Sequence, residues 1–184
     1  MNYILASASP RRREILSSLG FDFKVITSDV DESSDITDPS ELVCELSRRK
    51  ALAVRDALND NNSMIIACDT VVAIDKKILG KPVDEADARN MLHTLSGSSH
   101  SVYSGLCLVK GNKIKSDFCR TDVYFDLLDK NDIDCYIASS EWTDKAGAYG
   151  IQGKAGMFVK KIDGCYFNVV GLPINLLKNM LKEF

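Results

Sequence analysis

The chain has 184 residues, of which 45% are hydrophobic and 27% charged, and its formal net charge is −3. This composition is typical of a globular protein with one sizeable core, and the acidic balance argues against a general binder of nucleic acid or of membrane surfaces. No apolar run approaches the ~20 residues that span a bilayer, and the first residues lack the pattern of a signal peptide, so we expect a cytoplasmic protein.

The first predicted elements are a strand and a helix, joined by a short loop that contains serines. Residues 4–8 are an apolar run typical of a strand end, Ser9 stands at an N-cap position, and Pro10 lies in the first helical turn. Three consecutive arginines stand in the same turn: Arg11, Arg12 and Arg13. Because the helix dipole is already positive there, these groups indicate a pocket for an anion with several oxygens, such as a polyphosphate. The alternative is a solvated basic turn.

A second strand and an acidic loop follow. Residues 21–28 alternate between apolar and polar side chains, which predicts a strand. Residues 29–35 are an acidic loop. Such loops are usually only solvated, but Asp31 and Glu32 come just after a strand end, where functional groups of α/β proteins commonly collect.

The next helix has a clear start. Asp38 as the cap and Pro39 at the first position predict a helix that runs to about Leu58. Lys50 falls in the middle of its apolar stripe. A lysine in that place either extends its ammonium to solvent or meets a buried anion, and we expect the anion.

The predicted central strand carries a carboxylate. Residues 64–68 form a short, continuous apolar run typical of a buried strand, which places Asp69 and Thr70 at its end. A lone aspartate among apolar residues is unfavourable unless it is paired or binds a metal; the alternative is that it caps a neighbouring backbone segment. Lys81 follows, fixed between a glycine and a proline.

The second half of the chain is predicted to hold three helices, two hairpins and a glycine-rich segment. The elements are a helix over residues 84–95, strands over 101–109 and 114–127, a helix over 129–138, strands over 156–162 and 165–170, and a closing helix from Pro173. Residues 143–153 contain three glycines, which allow close approach of a ligand. Gln152 in that segment can donate and accept, as reading a base edge requires; the alternative is a packed turn.

Cysteine and histidine usage limits the metal chemistry. The six cysteines form no CxxC pair, which predicts reduced core thiols rather than a zinc site or a disulfide framework. His93 and His100 are too few for a histidine-based metal site, and we expect both to be structural or solvent-facing. A metal would therefore need oxygen ligands, which points to Mg²⁺ or Mn²⁺.

Several motifs in register resemble the Maf family of nucleoside triphosphate pyrophosphatases over essentially the whole chain. The motifs are LASASPRRREIL, the acidic loop, SRRKA, ACDTVV, ILGKP, LSGSSHSVYSG, DKAGAYGIQG and NVVGLP. The motif DKAGAYGIQG resembles the one found in the branch of the family that acts on dTTP and UTP, rather than the one found in the branch associated with 7-methyl-GTP. Cys68 stands where alanine is usual, and Glu141-Trp142-Thr143 replaces a more common Glu-Pro-Leu.

The resemblance implies a fold and an activity. The expected fold is a Maf/ITPase-like α/β fold with a mixed twisted sheet flanked by helices, two lobes and a central groove, in a single domain over residues 1–184. The expected reaction is hydrolysis of dTTP and UTP, with CTP and modified pyrimidine triphosphates as further candidates, between the α and β phosphates to a monophosphate and pyrophosphate. A divalent cation, Mg²⁺ or Mn²⁺, and a homodimer are expected with it.

The resemblance also implies roles for individual residues. Asp69 matches the family's proton acceptor, acting directly or through a bound metal. The expected catalytic residues are Asp69, Glu32, Lys50 and Lys81; the expected substrate-binding residues are Ser7, Arg11, Arg12, Thr70 and Gln152; the expected metal ligands are Glu32 and Asp69. Because a triphosphate carries about four negative charges, the cations suit its binding and the neutralisation of the leaving pyrophosphate.

Other functions stay open at this point. One is a pyrophosphatase for 7-methyl-GTP or for damaged purine triphosphates. Another is a nucleotide-sensing regulatory protein of cell division, although sensing would not require a desolvated carboxylate such as Asp69. A nucleic-acid binder is disfavoured by the acidic charge and by the absence of interleaved aromatic residues.

Overall fold

A computed structural model describes residues 2–58 and 60–184, and these residues form an α/β fold. The strands are β1 (Tyr3–Ala6), β2 (Phe23–Val25), β3 (Met64–Ile74), β4 (Lys77–Leu79), β5 (Ser99–Lys110), β6 (Lys113–Phe125) and β7 (Val159–Asp163). The helices are α1 (Pro10–Ser18), α2 (Pro39–Leu58), α3 (Glu85–Leu95), α4 (Lys130–Ala138), α5 (Tyr166–Val170) and α6 (Ile174–Leu181), and 3₁₀ turns span Ala146–Ala148 and Lys154–Phe158. The sheet is mixed, with strand order β2-β1-β3-β5-β6-β7 and β4 paired to β3. The predicted fold class is confirmed.

Internal contacts divide the described residues into two compact units. The first unit consists of the described residues up to Thr70, together with Ser104–Cys119 and Gly171–Phe184. The second unit consists of Val71–Tyr103 and Arg120–Val170. A single domain over residues 1–184 stays a prediction.

In the first unit, α2 packs on the sheet through small and branched side chains. β1 pairs in parallel with β2 and with β3, and the last β1–β3 pair joins Ala6 to Ala67. The core under α2 consists of Ile4, Ala6, Ala51, Val54, Ile65, Ala67, Cys107 and Val109. A Cβ at Gly105 of β5 would overlap the carbonyl of Val43 in α2, so the close approach of helix and strand requires glycine. The contact at Gly105 therefore sets the distance between α2 and the sheet, and with it the position of Lys50.

In the second unit, aromatic side chains dominate the core. β4 pairs with β3 and β7 pairs with β6, both antiparallel. The largest core side chains include Leu92, Phe125, Tyr136, Tyr149 and Phe158. Asp84 and Asp129 cap α3 and α4, and each accepts a 2.8 Å hydrogen bond from the backbone N–H three residues on.

The predicted hairpin of residues 156–162 and 165–170 is wrong in its second half. Residues 166–170 form helix α5 instead of a strand. The side-chain amide of Asn168 is fully buried and donates 3.0 Å hydrogen bonds to the Val102 carbonyl and the Thr121 hydroxyl. These tertiary bonds outweigh the β-propensity of the aromatic and branched residues around it.

Two further strand predictions need correction. The strand expected over residues 21–28 is limited to β2. Asp69 lies in the middle of β3 rather than at a strand end, because β3 continues to Ile74 and pairs there with β4. The partner strand β1, however, ends its pairing at Ala67, so Asp69 lies two residues beyond the end of the parallel pairing.

The cysteine prediction is confirmed in part. All six cysteines are free thiols, but only Cys68 and Cys107 are buried in the core, and Cys135 is exposed. His100 is buried and His93 is exposed. Within residues 2–58 and 60–184, no helix is both long enough and apolar enough to cross a bilayer.

Candidate active site

The ammonium of Lys50, a residue of α2, contacts the carboxylates of Asp69 and Glu32. We call these three residues the lysine–carboxylate cluster. Lys50 Nζ lies 2.5 Å from Asp69 Oδ1 and 2.8 Å from Glu32 Oε1. The side chains of Lys50 and Asp69 are only 14% and 11% exposed, whereas that of Glu32 is 56% exposed. The prediction that Lys50 meets a buried anion is confirmed.

The local structure explains why these groups meet. Successive side chains of a strand point to opposite faces, so Asp69 lies on the same face of β3 as Ile65 and Ala67. Those two residues pack under α2 beside Ala51, which directly follows Lys50. The lysine therefore reaches the one polar side chain that continues the apolar face of β3.

The cluster keeps Lys50 charged. Burial alone would lower the pKa of the Lys50 ammonium, but the adjacent carboxylates of Asp69 and Glu32 outweigh burial and hold that pKa above its ordinary value. In the described part of the chain, Asp69 Oδ2 accepts no hydrogen bond. One carboxylate oxygen is thus fixed by a cation, while the other is available to a ligand or a water molecule.

Arg12 organises a second group of polar atoms, which we call the arginine cluster: Arg12, Ser7, Thr70, Ser104 and Gly171. Arg12 donates through Nε to the Gly171 carbonyl (2.8 Å), through Nη1 to Ser7 Oγ (3.0 Å) and through Nη2 to Thr70 Oγ1 (3.0 Å). The Thr70 hydroxyl also lies 2.8 Å from Ser104 Oγ. Among the described residues, no carboxylate forms an ion pair with Arg12. The guanidinium keeps two further N–H groups, so a positive charge is fixed and uncompensated.

The two clusters share strand β3. Asp69 belongs to the lysine–carboxylate cluster and Thr70, the next residue, to the arginine cluster. They lie on opposite faces of the strand, just past the end of its pairing with β1. Through Thr70, Arg12 therefore joins the first turn of α1 to β3, one residue along the strand from Asp69. A single cavity lined by Arg12 and Asp69 stays a prediction.

The start of α1 adds to the positive potential. Ser9 is the N-cap, and its hydroxyl accepts from the Arg12 backbone N–H at 3.5 Å. No acidic residue stands in the first turn. Arg11 is half-buried there and Arg13 is exposed. The helix dipole and the arginine side chains together favour an oxyanion at this end of the helix.

The oxygen donors fit a divalent cation that a phosphate substrate would share. Asp69 and Glu32 present two carboxylates, and Mg²⁺ is commonly bound through one or two carboxylates together with substrate phosphates and water. No group of three or more His, Cys, Asp or Glu side chains suited to a metal occurs within the described ranges. Within those ranges Asp69 and Glu32 therefore do not belong to a larger cluster of metal-type ligands, and a metal ion held by them stays a prediction.

Two predicted site residues belong to the second unit. Lys81 is exposed, with Nζ 3.7 Å from Asp144 Oδ1. The carbonyl of Gly80, the residue before Lys81, accepts a 3.0 Å hydrogen bond from the Gly147 N–H. This bond connects the loop that carries Lys81 to the glycine-rich segment. Gln152 is exposed in the same segment. Their participation with the two clusters in one site stays a prediction.

Sequence reasoning did not select Ser104 and Gly171 as site residues. Gly171 has φ +115°, a conformation that favours glycine, and this conformation aims its carbonyl at Arg12. In the sequence, the only indication of this role is that Gly171 stands between two valines and a Leu-Pro pair. Ser104 directly precedes Gly105, the glycine against which α2 packs. Its role could have been suspected because it is a small polar residue within a buried strand.

Comparisons with known proteins identify the family to which the chain is similar. A family model described as Maf-like protein matches residues 2–184. A Clostridium botulinum (strain Kyoto / Type A2) protein named dTTP/UTP pyrophosphatase is 52% identical over 187 aligned residues, which cover 99% of this chain and 96% of the relative. A Pyrococcus abyssi protein of the same name is 48% identical over 179 residues, which cover 97% of this chain and 94% of the relative.

A solved structure supports the fold. The Staphylococcus aureus Ham1 protein matches with a TM-score of 0.58, covering 100% of this chain and 99% of that chain. The sequence identity is 17%, so this likeness concerns the fold alone.

Proposed function

The chain belongs to the Maf-like protein family, and from this membership we propose that it hydrolyses dTTP and UTP between the α and β phosphates. The products are the nucleoside monophosphate and pyrophosphate. The relatives named dTTP/UTP pyrophosphatase support the substrate choice because they match over nearly the full length. The observation that carries the chemistry is the buried Lys50–Asp69 pair beside the uncompensated Arg12.

The first task of the site is to bind a polyanion. A triphosphate carries about four negative charges, and Arg12, Lys50 and the start of α1 supply positive potential in the first unit. Fixed N–H donors that face the developing negative charge of the leaving pyrophosphate stabilise the transition state more than the ground state. The hydrogen bonds of Arg12 to Ser7, Thr70 and Gly171 keep its guanidinium preorganised for this task.

The second task is to activate water. We assign Asp69 as the proton acceptor, because Oδ1 is fixed by Lys50 while Oδ2 is available to a water molecule. As the water oxygen bonds to the α phosphorus, its proton passes to Asp69 and the bond to the bridging oxygen breaks, so that pyrophosphate leaves with the electron pair. Lys50 keeps the carboxylate oriented throughout.

Glu32 and Asp69 would hold a divalent cation, Mg²⁺ or Mn²⁺, together with the substrate phosphates. When bound, this ion supplies charge neutralisation to the phosphate oxygens. The exposed position of Glu32 on an acidic loop suits a ligand that arrives with the substrate. Within the chain, Lys50 bridges the same two carboxylates and limits their mutual repulsion.

The remaining predicted residues complete the proposal. Lys81 is assigned to the phosphates, and Arg11, Thr70 and Gln152 are assigned to the choice of substrate. We also propose a cytoplasmic homodimer that does not bind nucleic acid. Light scattering after size-exclusion chromatography tests the dimer: a mass near that of one 20.3 kDa chain contradicts it.

The decisive experiment measures which phosphate product is released. Pyrophosphate and orthophosphate are quantified for dTTP, UTP, CTP and 7-methyl-GTP, with Mg²⁺, with Mn²⁺ and with EDTA, and Asp69→Asn serves as the control for contaminating activity. We expect pyrophosphate from dTTP and UTP that depends on the metal and on Asp69. Orthophosphate as the product, or UTP binding without any hydrolysis, contradicts the proposal; the latter result favours a nucleotide sensor.

A further inference from the structure

Glu141 follows the end of α4 and reaches the glycine-rich segment. Its backbone N–H donates to Ser139 Oγ (3.3 Å), and the indole of the next residue, Trp142, donates to the Ile137 carbonyl (3.2 Å). The Glu141 carboxylate accepts a 2.9 Å hydrogen bond from the backbone N–H of Lys154. The side chain therefore connects the end of a capped helix to a distant loop of the same unit.

That loop contains a tight turn that carries Gln152. The Gly153 N–H donates to the Gly150 carbonyl at 3.1 Å and closes a four-residue β-turn with Ile151 and Gln152 at its centre. Ile151 is half-buried and packs against the core of the second unit, whereas Gln152 is exposed. The turn thus anchors one central residue and presents the other to solvent.

Both glycines of the turn lie against side chains from the preceding segment. A Cβ at Gly153 would overlap Glu141 Oε2, although φ −101° there suits any residue. A Cβ at Gly150 would come within 2.7 Å of Lys145 Cε. Lys145 in turn donates from Nζ to the Glu141 carbonyl. Glu141 and Lys145 therefore contact both ends of the turn, and we call them the clasp.

We propose that Glu141 is a positioning residue for nucleotide binding, whose carboxylate fixes the turn in the form that presents Gln152 to the base. This inference rests on the proposed function and deepens it, because it states how substrate choice is preorganised. Without the carboxylate, the turn gains alternative conformations, and binding must then reorder it. The phosphates are assigned to other residues, so the chemical step keeps its machinery and the effect falls on affinity.

The test compares the binding and the kinetics of variants. The Kd of dTTP is measured in EDTA, where hydrolysis is suppressed, and KM and kcat are measured with Mg²⁺. For Glu141→Ala we expect Kd and KM to rise about tenfold, as expected for the loss of one charge-assisted hydrogen bond, while kcat changes less than about threefold. Glu141→Gln keeps an acceptor oxygen and should recover most of the affinity. Glu85→Ala, which removes an exposed carboxylate of α3, is the matched control and should match the wild type.

A double-variant comparison separates positioning from general damage. If Glu141 acts through Gln152, then Glu141→Ala should weaken dTTP binding less than about twofold further in a Gln152→Ala background. Independent, multiplying effects of the two substitutions overturn the inference. So does an unchanged Kd in Glu141→Ala.

A third variant keeps the inference testable if Glu141→Ala folds poorly. Gly153→Ala leaves the backbone angles allowed but displaces the carboxylate, so it should weaken dTTP binding alone and add nothing in the Glu141→Ala background. Wild-type affinity in Gly153→Ala contradicts the clasp. If the wild type binds dTTP but releases no pyrophosphate, the proposed activity fails alone, because the Kd ratios still decide the role of Glu141.

Discussion

Replacement of Lys50 by methionine isolates the energy of the buried pair. Methionine covers nearly the same volume, so packing under α2 is retained while the ammonium is lost. Removal of one partner from a buried ion pair leaves the other charge uncompensated and destabilises a protein by about 3–5 kcal/mol. Because Lys50 and Asp69 keep 14% and 11% exposure, we expect the lower end, about 3 kcal/mol.

A second substitution tests the same reasoning. The expected loss arises because the Asp69 carboxylate remains in a largely buried place without its ammonium partner. Asp69→Asn added to Lys50→Met removes the uncompensated charge and should recover more than half of the lost stability.

The assay is unfolding by guanidinium chloride and by heat. A loss of about 3 kcal/mol corresponds to a fall in Tm of about 6–12 °C for a chain of this size. Arg48→Met, at an exposed position of the same helix, is the matched control and should change stability by less than about 0.5 kcal/mol. Wild-type stability in Lys50→Met refutes the reasoning, since the ammonium would then lie in solvent.

Three further predictions concern the site and its support. Asp69→Asn should lower turnover at least about a hundredfold in a variant that still folds, although loss of the carboxylate that pairs with Lys50 should lower its Tm; near-normal turnover removes Asp69 from the mechanism. Gly171→Ala should lower the free energy of unfolding by about 1–3 kcal/mol, because φ at this position is +115°. The variant should also have a higher KM, because the carbonyl that orients Arg12 moves. An unchanged unfolding midpoint contradicts this prediction. Burial lowers the pKa of His100 to about 4 from 6.5, so about 3 kcal/mol of stability should be lost as the pH falls from 6.5 to 4. His100→Gln should flatten that part of the stability–pH curve. An identical curve for the variant would show that other groups titrate in this range.

Local signals made the helices with an aspartate cap predictable. Asp38, Asp84 and Asp129 each precede a helix that begins at the next residue, because a capping side chain satisfies N–H groups only a few residues away. The inward place of Lys50 was readable for the same reason, since helical periodicity needs no knowledge of the neighbours. The partner of Lys50 was a hypothesis from the sequence, because an ion pair depends on residues far apart in the chain.

Nonlocal contacts account for the errors. The segment at residues 166–170 has strand-forming side chains but forms helix α5, because Asn168 finds its hydrogen-bond partners on β5 and β6. Asp69 was expected at a strand end, whereas the pairing of β3 with β4 extends the strand beyond it. Neither partner is adjacent in sequence, so no local pattern could reveal the outcome.

The sequence by itself determined where the capped helices begin, which residues are charged within apolar runs and, through its motifs, to which family the chain belongs. Only the tertiary structure decided which of three neighbouring arginines orients Thr70, that Gly171 supplies the carbonyl for it, and that Glu141 lies against Gly153. The physical reason is range. Caps and periodicity act over one or two helical turns, while a guanidinium or carboxylate selects its partners by distances that arise only once separate strands and loops have packed together.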